Sequence, residues 1–334
     1  MQIDRLRIRS LSICICLLLW FIWEGIKIMK VRLLSTQLLL RRQSLSVKTV
    51  LTRIVGLLIA FSSLTESACL GDLLGTKTSP MPVETTTHQG STWKLAWSEE
   101  FDGLKGTPPD RSKWTANVGG HGWGNQELEY NTNNQNAYQD GRGNLVLEAR
   151  KGNPAGYQCW YGSCQYTSAR LITSGHFSFT YGLLEAKIKI PSGQGSWSGF
   201  WLLGSNCGTI GWPTCGEIDI MENISPEPTI NHGSVHGPED FTRFYKLQHG
   251  TFADDFHIFA LQWDARYLYF FVDGNNYAVL HRATLTNPKG WVYDHPFNIL
   301  LSLAIGGDWP GSPSSTTLFP QKLYVSYVRL YTDK

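Results

Sequence analysis

The sequence of 334 residues lacks a surplus of charge of either sign: 29 Lys and Arg stand against 27 Asp and Glu, for a net charge of +2. It also lacks an apolar run of the roughly 20 residues that a membrane-spanning helix needs; the stretch 11–23 stops at thirteen. No Cys-x-x-Cys pair with a nearby His pair occurs among the seven cysteines, which argues against zinc. Beyond residue 93 no stretch of twelve or more residues holds a 3.6-residue apolar period with caps, and no segment repeats at fixed spacing. Helical bundles and solenoids are thereby excluded.

The neutral balance hides a split. Residues 1–68 carry ten Lys and Arg against three acids, whereas residues 69–334 carry nineteen against twenty-four. A mildly acidic body is a poor partner for phosphate, so nucleic acid is excluded. Eleven Trp in that body supply ample apolar surface to bury, which excludes disorder.

The leader reads as an export signal. Lys48 and Arg53 precede an apolar core over 54–64, which ends in Thr65, Glu66, Ser67, Ala68 and Cys69. A signal of this kind begins near a true N-terminus, so residues 1–46 are expected to be an over-extended start and 47–68 the signal peptide. The rival reading makes 11–23 a membrane anchor. Cys14 and Cys16 sit in the leader. Cys159 with Cys164, and Cys207 with Cys215, bracket short loops and are candidate disulfides in an exported protein. Cys69 is left over at the end of the signal, where a bacterial lipoprotein carries its lipidated cysteine; Glu66, in place of an aliphatic residue, stands against it. Residues 69–92, rich in Thr, Ser, Pro and Gly, read as a flexible linker.

From residue 93 to 334, short runs of β-branched and aromatic residues recur between Gly, Asn, Asp and Pro. Strands are expected over 144–149, 176–179, 183–190, 256–263, 267–272, 297–303 and 323–331, with a hairpin turn at 273–276. This pattern implies one all-β domain, a sandwich of two antiparallel sheets.

Within it, Gly216-Glu217-Ile218-Asp219-Ile220-Met221-Glu222-Asn223 carries the chemistry. Strand side chains alternate, so Ile218 and Ile220 enter the core while Glu217 and Asp219 share the other face. Unbroken alternation would bury Glu222, which is strongly disfavoured. A one-residue bulge near Met221 restores it to the acid face. The three acids are surrounded by Trp rather than Lys or Arg, which favours catalysis over a solvated surface. A retaining glycosidase needs two carboxyls roughly 5–5.5 Å apart, one attacking the anomeric carbon and one protonating the departing oxygen. Glu217 is assigned as nucleophile, Glu222 as general acid/base, and Asp219 as the group that tunes both.

The string Glu-Ile-Asp-Ile-Met-Glu resembles the signature of glycoside hydrolase family 16, and much of the chain is similar to its laminarinase (endo-β-1,3-glucanase) branch. The matching pieces begin with 97–103 (Trp-Ser-Glu-Glu-Phe-Asp-Gly), 122–127 (Gly-Trp-Gly-Asn-Gln-Glu), 166–170 (Tyr-Thr-Ser-Ala-Arg) and 199–203 (Gly-Phe-Trp-Leu-Leu). They continue through 211–213, 236–238, 255–257, 306–311 (Gly-Gly-Asp-Trp-Pro-Gly) and 319–321. The resemblance implies a β-jelly roll with a concave cleft, retaining hydrolysis of β-1,3-glucan, and the same three acid roles. It also implies that Trp123, Asn125, Arg170, Trp201, Trp212 and His236 line the cleft, with Trp197 in its wall. Sugar rings offer apolar faces to Trp and hydroxyls to Asn, Arg and His.

Two positions depart from the family. Ser326 stands where the final strand usually carries an Asp that helps bind a structural Ca²⁺; a hydroxyl is a weaker ligand for a hard cation. Ser198-Gly199 replaces the usual Pro-Ala before Phe200-Trp201. The expectation is an exported monomer, secreted, periplasmic or lipid-anchored, acting on a β-glucan polysaccharide with no catalytic cofactor or metal. It would meet a membrane only through its leader or a lipid anchor. The alternatives are a β-1,3(4)-glucanase, an agarase-like galactanase of the same family, and a glucan-binding module without catalysis.

Overall fold

In the computed structural model the described residues are 85–333, apart from Gln89, Pro288 and Lys289. The expected leader, signal peptide, anchor, Cys14, Cys16 and Cys69, with most of the expected linker, lie outside them.

The described chain opens on a hairpin, β1 (Thr85–His88) and β2 (Ser91–Glu99). The linker expected over 69–92 therefore does not extend to residue 92. Its threonines, read as polar filler, are β-branched and suit a pleated strand, and Trp93 is buried immediately after them. There follow β3 (Thr115–Ala116), β4 (Glu129–Asn131), β5 (Ala137–Gln139) and β6 (Leu145–Lys151). A small hairpin of β7 (Gln158–Cys159) and β8 (Gly162–Ser163) leads to β9 (Tyr166–Ser168) and β10 (Arg170–Ile172). Two long strands come next, β11 (Gly182–Lys189) and β12 (Ser196–Gly204). One helical turn, α1 (Cys207–Ile210), precedes β13 (Glu217–Ile224), β14 (Ile230–His236) and β15 (Phe241–Lys246). The chain continues through β16 (His257–Trp263), β17 (Tyr267–Val272), β18 (Asn275–His281), β19 (Phe297–Ile305) and β20 (Gln321–Asp333).

Among the described residues these strands form two main sheets. The larger runs β18-β17-β16-β11-β20-β6-β9-β4, with β2 also on β20 and β5 on β6. The smaller runs β15-β14-β13-β12-β19-β10-β3. Alternation decides which face packs. In β19, Phe297, Ile299, Leu301, Leu303 and Ile305 join the core between the sheets, while Asn298, Leu300, Ser302 and Ala304 face the other way. Facing them from the larger sheet are Leu145, Leu147, Leu184, Ile188, Phe259, Leu261 and Val325, all fully buried or nearly so. Each such side chain contributes about 1.5–3 kcal/mol of transfer free energy. A second, smaller cluster of Trp93, Leu183, Ala260, Phe271 and Tyr331 forms under the β1–β2 hairpin.

The β17–β18 connection is the expected turn: Asp273 and Gly274 both hold positive φ, 48° and 77°, as a two-residue hairpin requires. The strand expected over 176–179 is absent. His176 and Phe177 instead donate backbone bonds to Thr173 in a turn, and only Phe179 makes a bridge, to Phe297. Its aromatics serve packing: Phe177 stacks on Trp97 at 4.7 Å.

Candidate active site

The outer face of the smaller sheet is the floor of a cleft, and β13 carries its acids. Glu217 opposes His236 across the β13–β14 ladder and Asp219 opposes Ser234, but Glu222 opposes His232. Three residues of β13 thus span two of β14, which is a one-residue bulge at Ile220–Met221. Ile218, Ile220 and Met221 are all fully buried in the core. The register slip returns Glu222 to the face of Glu217 and Asp219.

Gly216 sets the start of this strand. Its φ is +76°, and a Cβ there would lie 2.9 Å from the Phe297 ring, so glycine is required on both counts. Just before it, the Cys207–Cys215 disulfide closes the loop that bears Trp212. That indole is 60% exposed and favours the Glu217 anion. The other expected disulfide, Cys159–Cys164, is also formed.

The three carboxyls differ in their partners. Glu217 has its pKa raised by burial, opposed by the nearby His236 and Arg170 and by the Trp212 hydrogen bond. Asp219 is 2% exposed, and burial followed by the charges of Glu222 and Glu217 pushes it well above the usual carboxylate range. His236 Nε2 stands 3.4 Å from Asp219 Oδ2, although that oxygen has no aligned hydrogen bond. Glu222 is pushed up to about 8 by burial and then by the Glu217 charge; its Oε1 accepts a hydrogen bond from Trp197 Nε1 at 3.1 Å. The cleft thus offers one carboxyl, Glu217, whose anion is favoured by Arg170, His236 and Trp212, and a second, Glu222, that keeps its proton up to about pH 8 in a dry wall.

Arg170 projects from β10 between two indoles, its Cζ 4.5 Å from the Trp123 ring and 4.6 Å from the Trp201 ring. Trp201 is only 8% exposed, and its Nε1 donates to Ser302 Oγ at 3.2 Å. It therefore carries Arg170 rather than lying open to a sugar. Trp123 holds φ 48° between Gly122 and Gly124, both at positive φ, in a tight loop that also presents Asn125. At Gly199 a Cβ would lie 2.7 Å from Ser302 Oγ. The departure at 198–199 is thus matched by Ser302, directly opposite in register.

All ten expected residues, the three acids with Trp123, Asn125, Arg170, Trp197, Trp201, Trp212 and His236, line one cavity of about 580 Å³. The cavity also contains residues not singled out from sequence: Glu127, His232, Ser234, Thr242, Ser302 and Trp309. Trp309 packs edge-on against Trp197 at 5.3 Å and His232 at 4.9 Å, and His232 is tied to Glu227 at 2.8 Å. Glu127 is 5% exposed beside the fully buried Glu129. Burial and then the Glu129 charge push Glu127 up to about 10. The signal for this pair was present in Glu127-Leu128-Glu129, whose alternation places both acids on one face.

Among the described residues, the one cluster of three or more His, Cys, Asp or Glu spaced to hold a cation is Glu217, Asp219 and His236, in the cleft.

The family model for glycosyl hydrolases family 16 matches residues 124–327. A β-glucanase of Rhodothermus marinus is 40% identical over 256 residues, covering 72% of this chain and 85% of that protein. Among solved structures, an endo-β-1,3-glucanase from Pyrococcus furiosus aligns with a TM-score of 0.69 at 41% identity, over 75% of this chain and 99% of that one. The catalytic domain of an endo-1,3-β-glucanase (laminarinase) from Thermotoga petrophila aligns with a TM-score of 0.67 at 42% identity, over 72% and 98%.

Proposed function

This chain belongs to glycoside hydrolase family 16, and from that premise we propose that it is an endo-β-1,3-glucanase cleaving laminarin-like polysaccharide with retention of anomeric configuration. The observation that carries the reading is the unequal provision for two carboxyls on one strand face. Glu217 has Arg170, His236 and Trp212 to favour its anion. Glu222 has a single Trp197 donor and a pKa near 8.

In the first step Glu217 attacks the anomeric carbon while Glu222 gives its proton to the departing glycosidic oxygen, leaving a glycosyl ester and a shortened glucan. Esterification removes the Glu217 charge, which is a cause of the raised Glu222 pKa. Glu222 then becomes the stronger acid, remains as carboxylate, and takes a proton from water as that water attacks the same carbon. Glu217 leaves as carboxylate, and two inversions give net retention. Both reacting groups are side chains of this chain, and the reading requires no cofactor.

The reading extends to export of the protein. Its support is the signal-like pattern over 47–68 and the two disulfides, which suit an oxidising compartment.

The test compares laminarin, lichenan and agarose side by side and follows the first reducing ends by proton NMR. Laminarin is expected to give a ladder of oligosaccharides appearing first as the β-anomer. Preference for agarose, or an α-anomer first, would overturn the reading. Glu217→Ala should abolish turnover while azide restores part of it by replacing the nucleophile; wild-type-like turnover in that variant would remove Glu217 from its role.

A further inference from the structure

The cleft crosses the strands of the smaller sheet, from Thr242 and His236 on β15 and β14 to Arg170 on β10. At the β10 end it is lined by the tight loop bearing Trp123 and Asn125. Immediately outside that loop stands Trp160, at the tip of the β7–β8 hairpin, with 48% of its surface exposed.

Trp160 is exposed but not loose. Its indole Nε1 donates to the Glu127 carbonyl at 2.8 Å, and its backbone N–H donates to the Gly120 carbonyl at 2.8 Å. The Cys159–Cys164 disulfide staples the two ends of its hairpin. The next residue, Tyr161, donates its hydroxyl to the Leu128 carbonyl at 2.6 Å. Gly122, the neighbour of Trp123, leaves room for the ring: a Cβ there would lie 3.0 Å from Trp160 Cδ1. The one polar atom of the indole is therefore satisfied by the cleft wall, and what faces water is hydrocarbon. Three hydrogen bonds and a disulfide thus hold a half-exposed large aromatic in one position.

We propose that Trp160 is a distal sugar-binding platform that extends the cleft beyond Trp123, stacking on a ring of the same β-glucan chain several residues from the scissile bond. The occupant follows from continuity. A linear polysaccharide lying over Arg170 and Trp123 must leave the cleft past this loop, and its rings present apolar faces at the chain's repeat. A satisfied indole edge with an open hydrocarbon surface recognises such a face and has nothing to offer an ion or a charged peptide. Trp160 is thus a specificity residue for chain length, acting on binding rather than on the reacting atoms.

The inference rests on the glucanase reading, and the experiment separates the two. Wild type, Trp160→Ala and Trp160→Phe are assayed on linear β-1,3-gluco-oligosaccharides of increasing length and on laminarin. In Trp160→Ala the ratio of kcat/KM for laminarin to that for the shortest cleaved oligosaccharide should fall about tenfold, mainly through KM, as loss of a buried aromatic contact implies. Trp160→Phe should recover much of that ratio, and the product ladder of Trp160→Ala should shift in length. An unchanged ratio, or an equal loss at every chain length, overturns the platform. Failure of wild type to cleave any member of the series would instead overturn the glucanase reading.

Discussion

The charge carried by Asp219 can be deduced from the site and tested by one pair of substitutions. Side-chain atoms of Glu217, Asp219 and His236 lie within 4.8 Å of one another. Two carboxylates at that distance repel by about 3.5 kcal/mol at an effective dielectric of ~20, or about 2.5 pKa units. That repulsion, added to burial, opposes ionising both at once. Their surroundings decide which one ionises: Glu217 has Arg170, His236 and Trp212 to favour its anion, whereas Asp219 is almost wholly buried, its Oδ2 3.4 Å from His236 Nε2 but without an aligned hydrogen bond. The proton stays on Asp219.

Asp219→Asn then replaces a neutral carboxyl by a neutral amide of the same shape. It should keep kcat/KM within about tenfold of wild type, with the alkaline limb of its pH profile unmoved to within ~0.5 unit. Asp219→Ala leaves a hole and an unsupported His236, and should lose about 100-fold or more, equivalent to ~2.7 kcal/mol of transition-state stabilisation. The assay is kcat/KM on laminarin from pH 4 to 10, with thermal melts to confirm folding. Were Asp219 ionised, the Asn variant would remove a negative charge beside Glu222 and draw the alkaline limb a unit or more toward acid. That shift, or equal losses in the two variants, refutes the deduction.

Glu222 must hold its proton to act as acid, so activity should fall as pH rises through about 8. Trp197→Phe removes the donor that favours the Glu222 anion and should move this limb upward by about 0.5–1 unit; a static or downward limb would contradict the assignment. Glu127→Gln bears on stability. Glu127, at about 10 in the folded protein, keeps a proton that the unfolded chain releases near pH 4.3, so stability declines between those values as pH rises. The Gln variant should melt at least ~2–4 °C above wild type at pH 9, with the gap closing at pH 4; an equal gap at both pH values would show that burial of Glu127 is not the cause.

The parts of the site legible in the sequence were those where a local rule came into conflict with itself. Strict alternation would have buried Glu222, and one extra residue relieves this; the bulge at Ile220–Met221 is where that conflict falls. Asp273-Gly274 could be read because few residues tolerate two consecutive positive φ values. The misreadings came from residues with two uses. The threonines before Trp93 looked like linker and are strand. The aromatics at 177–179 looked like strand and pack from a turn against Trp97. Contacts across the molecule were beyond reach altogether: nothing near Trp309 indicates that it meets Trp197 and His232, and nothing near Cys159 indicates that its hairpin lies against Gly120 and Gly122.

The aromatic content and the acidity of the site are one physical problem rather than two. A cleft walled by Trp123, Trp197, Trp201, Trp212 and Trp309 offers surface to sugar rings, but the same walls keep water from the carboxyls between them. Burial is accordingly the first cause of every upward shift among Glu127, Glu217, Asp219 and Glu222. A more polar wall would lower the pKa of Glu222 and, on the proposed mechanism, leave the departing oxygen without a proton at neutral pH even with Glu217 and Glu222 in place. Cleft tryptophans that never touch the scissile bond should therefore influence the pH profile as well as binding. A platform outside the dry cavity, such as Trp160, should influence binding alone, and the position of the alkaline limb in Trp160→Ala distinguishes the two kinds of tryptophan.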